Sequence, residues 1–245
     1  MLMTKTTWKD HDQYNFTVGG RESFVVCPKN PLLDRPWAWR TEFFGAFDSV
    51  DLALLRGGWH LAYHRASDQY GCPQSIAWLH EFQTVAEAEF KLAPRAVLFG
   101  FSRGGLYAFN YARAYPDQVA LLYLDAPVLD IRSWPGGQGR GDGHPACWQQ
   151  CLACYNLTEE NAAGFRDGPL DHAAEVARAG IPIIVVAGDA DTAVPWPENG
   201  ARLQPLYAEA GGNIRVILKP GVGHHPHSLE NPAPVVDFIT EFRRH

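Results

Sequence analysis

The sequence predicts a mixed α/β fold, with a mostly parallel sheet covered by helices on both faces. Three observations predict it. Short apolar runs alternate along the chain with segments of helical periodicity, the pattern of successive strand–helix crossovers. The 245 residues carry 46% hydrophobic and 20% charged side chains, ordinary for one globular domain able to bury a large core. No internal repeat, low-complexity tract or long charge block interrupts the alternation.

Taken in order, Gln13–Val18 and Glu22–Cys27 read as antiparallel strands joined across Gly19-Gly20. Trp59–Tyr63 reads as a core strand, followed by a polar turn containing Gly71 and Pro73. Ser75–Phe90 then places Ile76, Leu79, Phe82, Val85 and Ala86 at helical spacing. Arg95–Gly100 is the next strand, and Leu106–Tyr115 a helix stopped by Pro116. The strands Val119–Leu124, Ile181–Ala187 and Ile214–Leu218 follow, and the helix Ala233–Arg243 closes the series. Between Val128 and Asp171 the alternation breaks into Gly-rich loops and a Cys- and Trp-containing helix near Ala146–Tyr155. That stretch (128–171) reads as an insertion over the sheet edge, too short for a second domain, so one domain spans 1–245.

The formal net charge of −6 and pI of about 5.9 leave no electrostatic footprint for nucleic acid or an anionic membrane. No apolar stretch approaches the roughly 20 residues of a membrane span, and the first residues lack the apolar core of a signal peptide. A cytoplasmic protein is the expectation. The 5 cysteines, an odd and scattered set, argue against a disulfide scaffold. The sequons at Asn15 and Asn156 carry weight only in a eukaryotic secretory pathway.

The most informative motif is Gly100-Phe101-Ser102-Arg103-Gly104, placed between a predicted strand and a predicted helix. A sharp strand-to-helix turn lifts a serine hydroxyl above the sheet, and residues two before and two after it crowd together, so both must be small. The backbone N–H of Arg103 and the helix dipole then face any negative charge developing at the serine. The bland alternative is a Gly-rich helix start capped by a serine. A serine nucleophile needs a base, and the base an orienting carboxylate. After Ile181–Ala187 comes Gly188-Asp189-Ala190-Asp191-Thr192-Ala193-Val194-Pro195; after Ile214–Leu218 comes Gly221-Val222-Gly223-His224-His225-Pro226-His227. Both follow strands that should run parallel to the serine strand, and so reach the same carboxyl edge.

With these three motifs the chain resembles the α/β-hydrolase superfamily, from about Glu22 to its C-terminus. The resemblance implies an α/β-hydrolase fold: a mostly parallel, doubly wound sheet with a short cap insertion after the strand Val119–Leu124. It further implies a serine hydrolase with Ser102 as nucleophile, Asp191 as triad acid and His224 as general base. Asp189 stays open beside Asp191, and His225 and His227 beside His224. One oxyanion donor is the Arg103 N–H. The other, by resemblance, belongs to the loop after the strand preceding Trp59–Tyr63, which on this reading is Cys27–Pro31, with Lys29 or Asn30 donating. The familiar His-Gly pair is missing there.

Other groups are weighed against plainer roles. Trp37, Trp39, Trp134, Trp148 and Trp196 fall in expected loops, where they either stack on a sugar or aryl group or simply pack the loops down. Of these Trp39, Trp134 and Trp196 are the candidate substrate walls. Arg40 flanks the expected pocket as a candidate for a substrate carboxylate, and Arg103 either shares that role or pairs with an acid such as Asp125 or Glu198. Cys147, Cys151 and Cys154 have an iron–sulfur spacing in the wrong context; at helical spacing they form an apolar stripe. The His224, His225 and His227 cluster contains metal-ligand types, but with no helical pair or matched distant ligand no metal is assigned, and no cofactor is expected.

The expected reaction is ester hydrolysis through an acyl-enzyme, on a small-molecule or oligosaccharide ester such as an acylated or methyl-esterified carbohydrate. A peptide substrate is disfavoured because the chain carries no propeller to select peptides, though a peptidase or thioesterase on the same triad remains open. A dehalogenase or epoxide hydrolase would need aspartate where Ser102 stands. A non-catalytic binder that retains the elbow is the alternative from another class. The fold alone chooses among none of these.

Overall fold

The computed structural model describes residues 2–243. A nine-stranded sheet carries the structure: β1 (Thr4–Trp8), β2 (His11–Val18), β3 (Arg21–Cys27), β4 (Trp37–Arg40), β5 (His60–His64), β6 (Ala96–Phe101), β7 (Val119–Asp125), β8 (Ile183–Gly188) and β9 (Ile214–Lys219). Their order across the sheet is β1-β2-β3-β5-β4-β6-β7-β8-β9. β1, β2, β3 and β5 pair antiparallel; from β5 to β9 every pairing is parallel. The fold is the expected α/β-hydrolase fold. Among the described residues no helix is long and apolar enough to cross a membrane.

Helices cover both faces. The helices α2 (Pro73–Phe90), α3 (Gly104–Ala114), α6 (Ala173–Arg178) and α7 (Gly200–Glu209) pack over one face, α1 (Ser49–Arg56) and α8 (Ala233–Phe242) over the other. The two cores divide each central strand by the two-residue period of its side chains: Ala96 and Leu98 of β6 face the α2/α3 side, Val97, Phe99 and Phe101 the α1/α8 side. All six residues of β6 are buried, which is why the strand reads as one apolar run.

The segment after β7 builds α4 (Pro145–Tyr155) and the short α5 (Glu159–Ala162). They form a third, smaller core of Val128, Ile131, Trp148, Cys151, Leu152 and Ala162 against Leu106 of α3, Tyr70 and Val194. The insertion therefore rests on the start of α3 and on the loop after β8. Cys151 is fully buried, Cys147 and Cys154 half-buried, and all three are free thiols, the stripe expected of their spacing.

β1, β4, α1, α5, α6 and α7 are not among the elements that periodicity predicts, and two of them bear on the site. β4 is only four residues, follows Pro36, and mixes Trp with Arg; α1 is an eight-residue helix between β4 and β5. Their recognition reassigns several residues. Arg40 is a correction: it is 1% exposed and points to the α1/α8 face, not to a substrate. Its Nε and Nη2 donate to Asp51 of α1 at 2.9 and 2.5 Å, and its guanidinium lies 4.0 Å from the Phe101 ring centre. Trp39, one residue earlier, faces the opposite core; it is fully buried, stacked on Trp37 and edge-on to Tyr111. A substrate wall it cannot be.

Candidate active site

Ser102 ends β6 with φ of +49°, in the left-handed region that an L-residue occupies only when surroundings hold it there. Those surroundings are visible. Its N–H donates to the Asp125 carbonyl at the end of β7, and its own carbonyl accepts from Gly105 and Val128. The small flanking residues are needed for space: a Cβ on Gly100 would meet the Gly104 carbonyl at 2.9 Å and Ala108 at 3.0 Å. The strand-turn-helix geometry follows, with Arg103 as the N-cap residue of α3 directly after Ser102.

The loops after β8 and β9 meet Ser102 from the side. Asp191 Oδ1 accepts from the N–H groups of Ala193 (2.9 Å) and Val194 (2.8 Å), which turn the buried carboxylate inward. Its Oδ2 lies 2.7 Å from His224 Nδ1, and His224 Nε2 lies 3.0 Å from Ser102 Oγ. Between the two candidate carboxylates the geometry is unambiguous: Asp189 is exposed and accepts from the Gly221 N–H, which ties the β8 and β9 loops together. Gly188 is required for the approach of those loops, since a Cβ there would overlap the Val222 and Gly223 carbonyls.

The other histidines have different partners. His227 Nδ1 is 2.7 Å from Asp125 Oδ1, while Asp125 Oδ2 accepts from the Ser228 N–H (2.8 Å) and the Tyr123 hydroxyl (3.0 Å). This buried cluster anchors the loop that presents His224. His225 is exposed and stacks on Phe47. Partial burial, with the His227 and His224 imidazoles beside it, holds the His225 pKa below its ordinary value.

Lys29 is a correction. β3 runs antiparallel to β5, so its end at Cys27 lies at the amino ends of the parallel strands, opposite Ser102. Lys29 is exposed there, beside Lys9, Asn30 and Arg56. The strand that precedes β5 in the chain is β4, and its following loop, Thr41–Phe47, does reach the elbow. Thr41 Oγ1 donates to Gly104 O at 3.0 Å, and a Cβ on Gly104 would lie 3.3 Å from Glu42 Cβ. Sequence reasoning missed this loop because it missed its strand; Trp37-Ala38-Trp39-Arg40 after a proline was the only available signal.

The Arg103 side chain pairs with Glu42 (3.1 Å) and Asp68 (2.7 Å), not with Asp125 or Glu198, and its guanidinium lies near Phe43 and Tyr70. Burial pushes the Glu42 carboxyl up, and Arg103 only partly offsets it. Burial works against the Arg103 charge in turn, but Glu42, Tyr107 and Asp68 outweigh it and keep the guanidinium charged. Trp134 is half-buried in the insertion core, 6.2 Å from the Tyr70 ring, while Trp196 packs over Gly200 and against the sheet core. Trp196 is spent on packing, a further correction. Phe43 and Phe47, each with φ near +50°, are 41% and 39% exposed on the loop beside the elbow.

An elbow serine, an imidazole and a carboxylate in series on the carboxyl edge of this sheet are the arrangement of the α/β-hydrolase-fold serine hydrolases. The family model "Putative esterase" matches residues 59–232, well over half of the chain, and the protein belongs to that family. A comparison with curated proteins finds no match. Among solved structures, the chain is similar to a puromycin hydrolase (TM-score 0.69, 18% identity, covering 98% of this chain and 38% of that one). It is similar also to an acylaminoacyl peptidase from Pyrococcus horikoshii (0.67, 11%, 99% and 40%). A carboxyl esterase from Bacillus coagulans matches over nearly its full length (0.62, 13%, 99% and 99%). The chain thus spans about two-fifths of the peptidase chains and the whole of the esterase.

Proposed function

We propose that the protein hydrolyses carboxylic esters through an acyl-enzyme, with Ser102 as nucleophile, His224 as general base and Asp191 as its orienting acid. The observation that carries this reading is the unbroken series from Oγ through the imidazole to a buried carboxylate, at 3.0 and 2.7 Å. The Asp191 carboxylate accepts the Nδ1 proton, leaving the Nε2 lone pair toward Ser102. As Oγ attacks the ester carbonyl, Nε2 takes its proton. The imidazolium then protonates the leaving alcohol, and water activated by the same nitrogen releases the acid. The oxyanion is received by the Arg103 N–H and by a backbone N–H of Glu42 or Phe43, in place of Lys29.

The family match and the full-length likeness to a carboxyl esterase support an ester. A serine peptidase or thioesterase on the same residues is the second reading, favoured for the peptidase by the likeness to an acylaminoacyl peptidase. Within the ester reading, an acylated or methyl-esterified carbohydrate is the proposed substrate class. Exposed Phe43 beside the Arg103 guanidinium and exposed Phe47 beside His225 and His227 supply flat apolar surface, with half-buried Trp134 in the insertion. The insertion 128–171 would roof this side.

The test is intact-mass labelling with a serine-reactive fluorophosphonate, wild type beside Ser102→Ala, then a panel of aryl and carbohydrate acetates and a peptide amide. One adduct, absent in the variant, with ester turnover reduced at least about 10⁴-fold by Ser102→Ala, is expected. A folded wild type that takes no adduct would refute the assignment in favour of a binding protein. Amide turnover above ester turnover would favour the peptidase.

A further inference from the structure

His224, His225 and His227 follow β9 within four residues, and one ring nitrogen from each lies within 4.8 Å of the others. The three rings meet edge to face, with centroids 4.8 to 5.0 Å apart. Two of them are held in the same way. His224 Nδ1 faces the Asp191 carboxylate and His227 Nδ1 the Asp125 carboxylate, each at 2.7 Å. A carboxylate accepts but cannot donate, so each ring carries its proton on Nδ1 and keeps a lone pair on Nε2. A carboxylate behind the imidazole, with the free nitrogen ahead, is how protein zinc ligands are oriented. Asp125 is the distant partner that the sequence alone could not match to His227.

We propose that these three histidines form a zinc-binding site that switches the enzyme off. Imidazole suits Zn²⁺ among the common divalent ions and rejects Mg²⁺ and Ca²⁺, which take oxygen. Zinc–nitrogen bonds of about 2.0–2.1 Å in tetrahedral geometry require nitrogens about 3.3 Å apart. The set must therefore contract from 4.8 Å, and His225, the exposed ring of the three, packed against Phe47 and its two neighbours, is the one with room to turn. The exposed His225 offers an incoming ion its first ligand from solvent. Once zinc takes the His224 Nε2 lone pair, that nitrogen can no longer accept the Ser102 proton across the 3.0 Å hydrogen bond. The fourth position is left to water or to Ser102 Oγ.

Zinc binding stands on the three imidazoles alone; its inhibitory effect rests on the proposed hydrolytic role of His224. The experiment separates the two. Calorimetric titration with ZnCl₂ and, as control, MgCl₂ is run on wild type, Ser102→Ala and His225→Ala, with ester turnover measured in parallel. Expected are one zinc per chain in wild type and Ser102→Ala, none of the same affinity for magnesium, and binding weakened tenfold or more in His225→Ala. Turnover of the wild type should fall with zinc and return with EDTA, while whatever turnover His225→Ala retains should resist zinc at concentrations that silence the wild type. Unchanged zinc affinity in His225→Ala, or no binding to wild type, overturns the site. Binding that leaves turnover intact overturns the switch, and a wild type with no hydrolysis at all refutes the hydrolase reading while the titration still decides the site.

Discussion

Removing the charge of Asp51 should destabilise the protein severely without touching substrate binding. Arg40 and Asp51 are each about 1% exposed, and the guanidinium has few other resources: one donor reaches the Phe47 carbonyl at 3.3 Å and Nη1 finds no partner. In Asp51→Asn the side chain keeps its shape but leaves a buried cation facing a neutral amide. At about 4 Å between charge centres and an effective dielectric of about 20, the lost attraction is about 4 kcal/mol. Breaking a buried ion pair by removing one partner costs about 3–5 kcal/mol, which agrees. Against a total stability of about 5–15 kcal/mol that is a large fraction, worth roughly 6–20 °C in Tm for a chain of this size. Urea unfolding followed by circular dichroism measures it, with KM read on the surviving folded enzyme. Replacing both residues at once, Arg40→Met with Asp51→Leu, should recover most of the loss, since an apolar pair of similar volume strands no charge. A cost below about 1 kcal/mol for Asp51→Asn would refute the reasoning. So would an Arg40→Met variant of normal stability and raised KM, which is what a substrate-binding arginine predicts.

Two further outcomes follow from geometry and burial. Gly188→Ala places a methyl group on the carbonyls that lead into His224, so that imidazole, the proposed base, should move by a substantial fraction of an ångström. A loss of about 100-fold in kcat is expected, with an unchanged far-ultraviolet spectrum; wild-type kcat would show that the β9 loop position is not critical. His60 and His64 are buried, and burial is the main reason that their pKa values fall to about 4 from the ordinary 6.5. The unfolded chain therefore binds more protons between about pH 6.5 and 4, so stability is full above that window and lost as pH falls through it, by about 3 kcal/mol for each histidine at pH 4. Urea midpoints from pH 7 to 4 for wild type and His64→Gln check this: the variant should show the shallower dependence, and parallel curves would count against it.

Much of the central sheet was legible because each strand announces itself locally. A strand buried on both faces must be apolar, and β6 and β8 are throughout, as is β7 up to its last residue, Asp125. The helices α2 and α8 show a helical apolar period because one face of each packs on the sheet, and α3 is apolar nearly all round because it is buried on most sides. The candidate site residues stood out through constraints equally local: a tight strand-to-helix turn needs small flanks at Gly100 and Gly104, and a turn after a strand is where a carboxylate or a histidine can project. Chain order and strand direction then suffice to put Ser102, Asp191 and His224 on one edge.

Only the tertiary structure decided the rest, because it depends on which strand lies beside which. β4 was lost in the sequence since four residues carry no period, and Arg40 reads as a polar loop residue until Asp51 of α1 is found behind it. With β4 missing, the antiparallel β3 stood in for it and carried the second oxyanion donor to the wrong end of the sheet. Asp191 and Asp189 differ by two positions in the chain; resemblance favours Asp191 but leaves Asp189 open, and the turn that buries one and exposes the other separates them. The pairing of His227 with Asp125 spans 102 residues and joins the end of β7 to the loop after β9. Periodicity records what one segment does with its own side chains. It holds no record of the partner another segment will bring, and that partner determines which arginine is structural, which backbone faces the serine, and which histidine is free to bind something new.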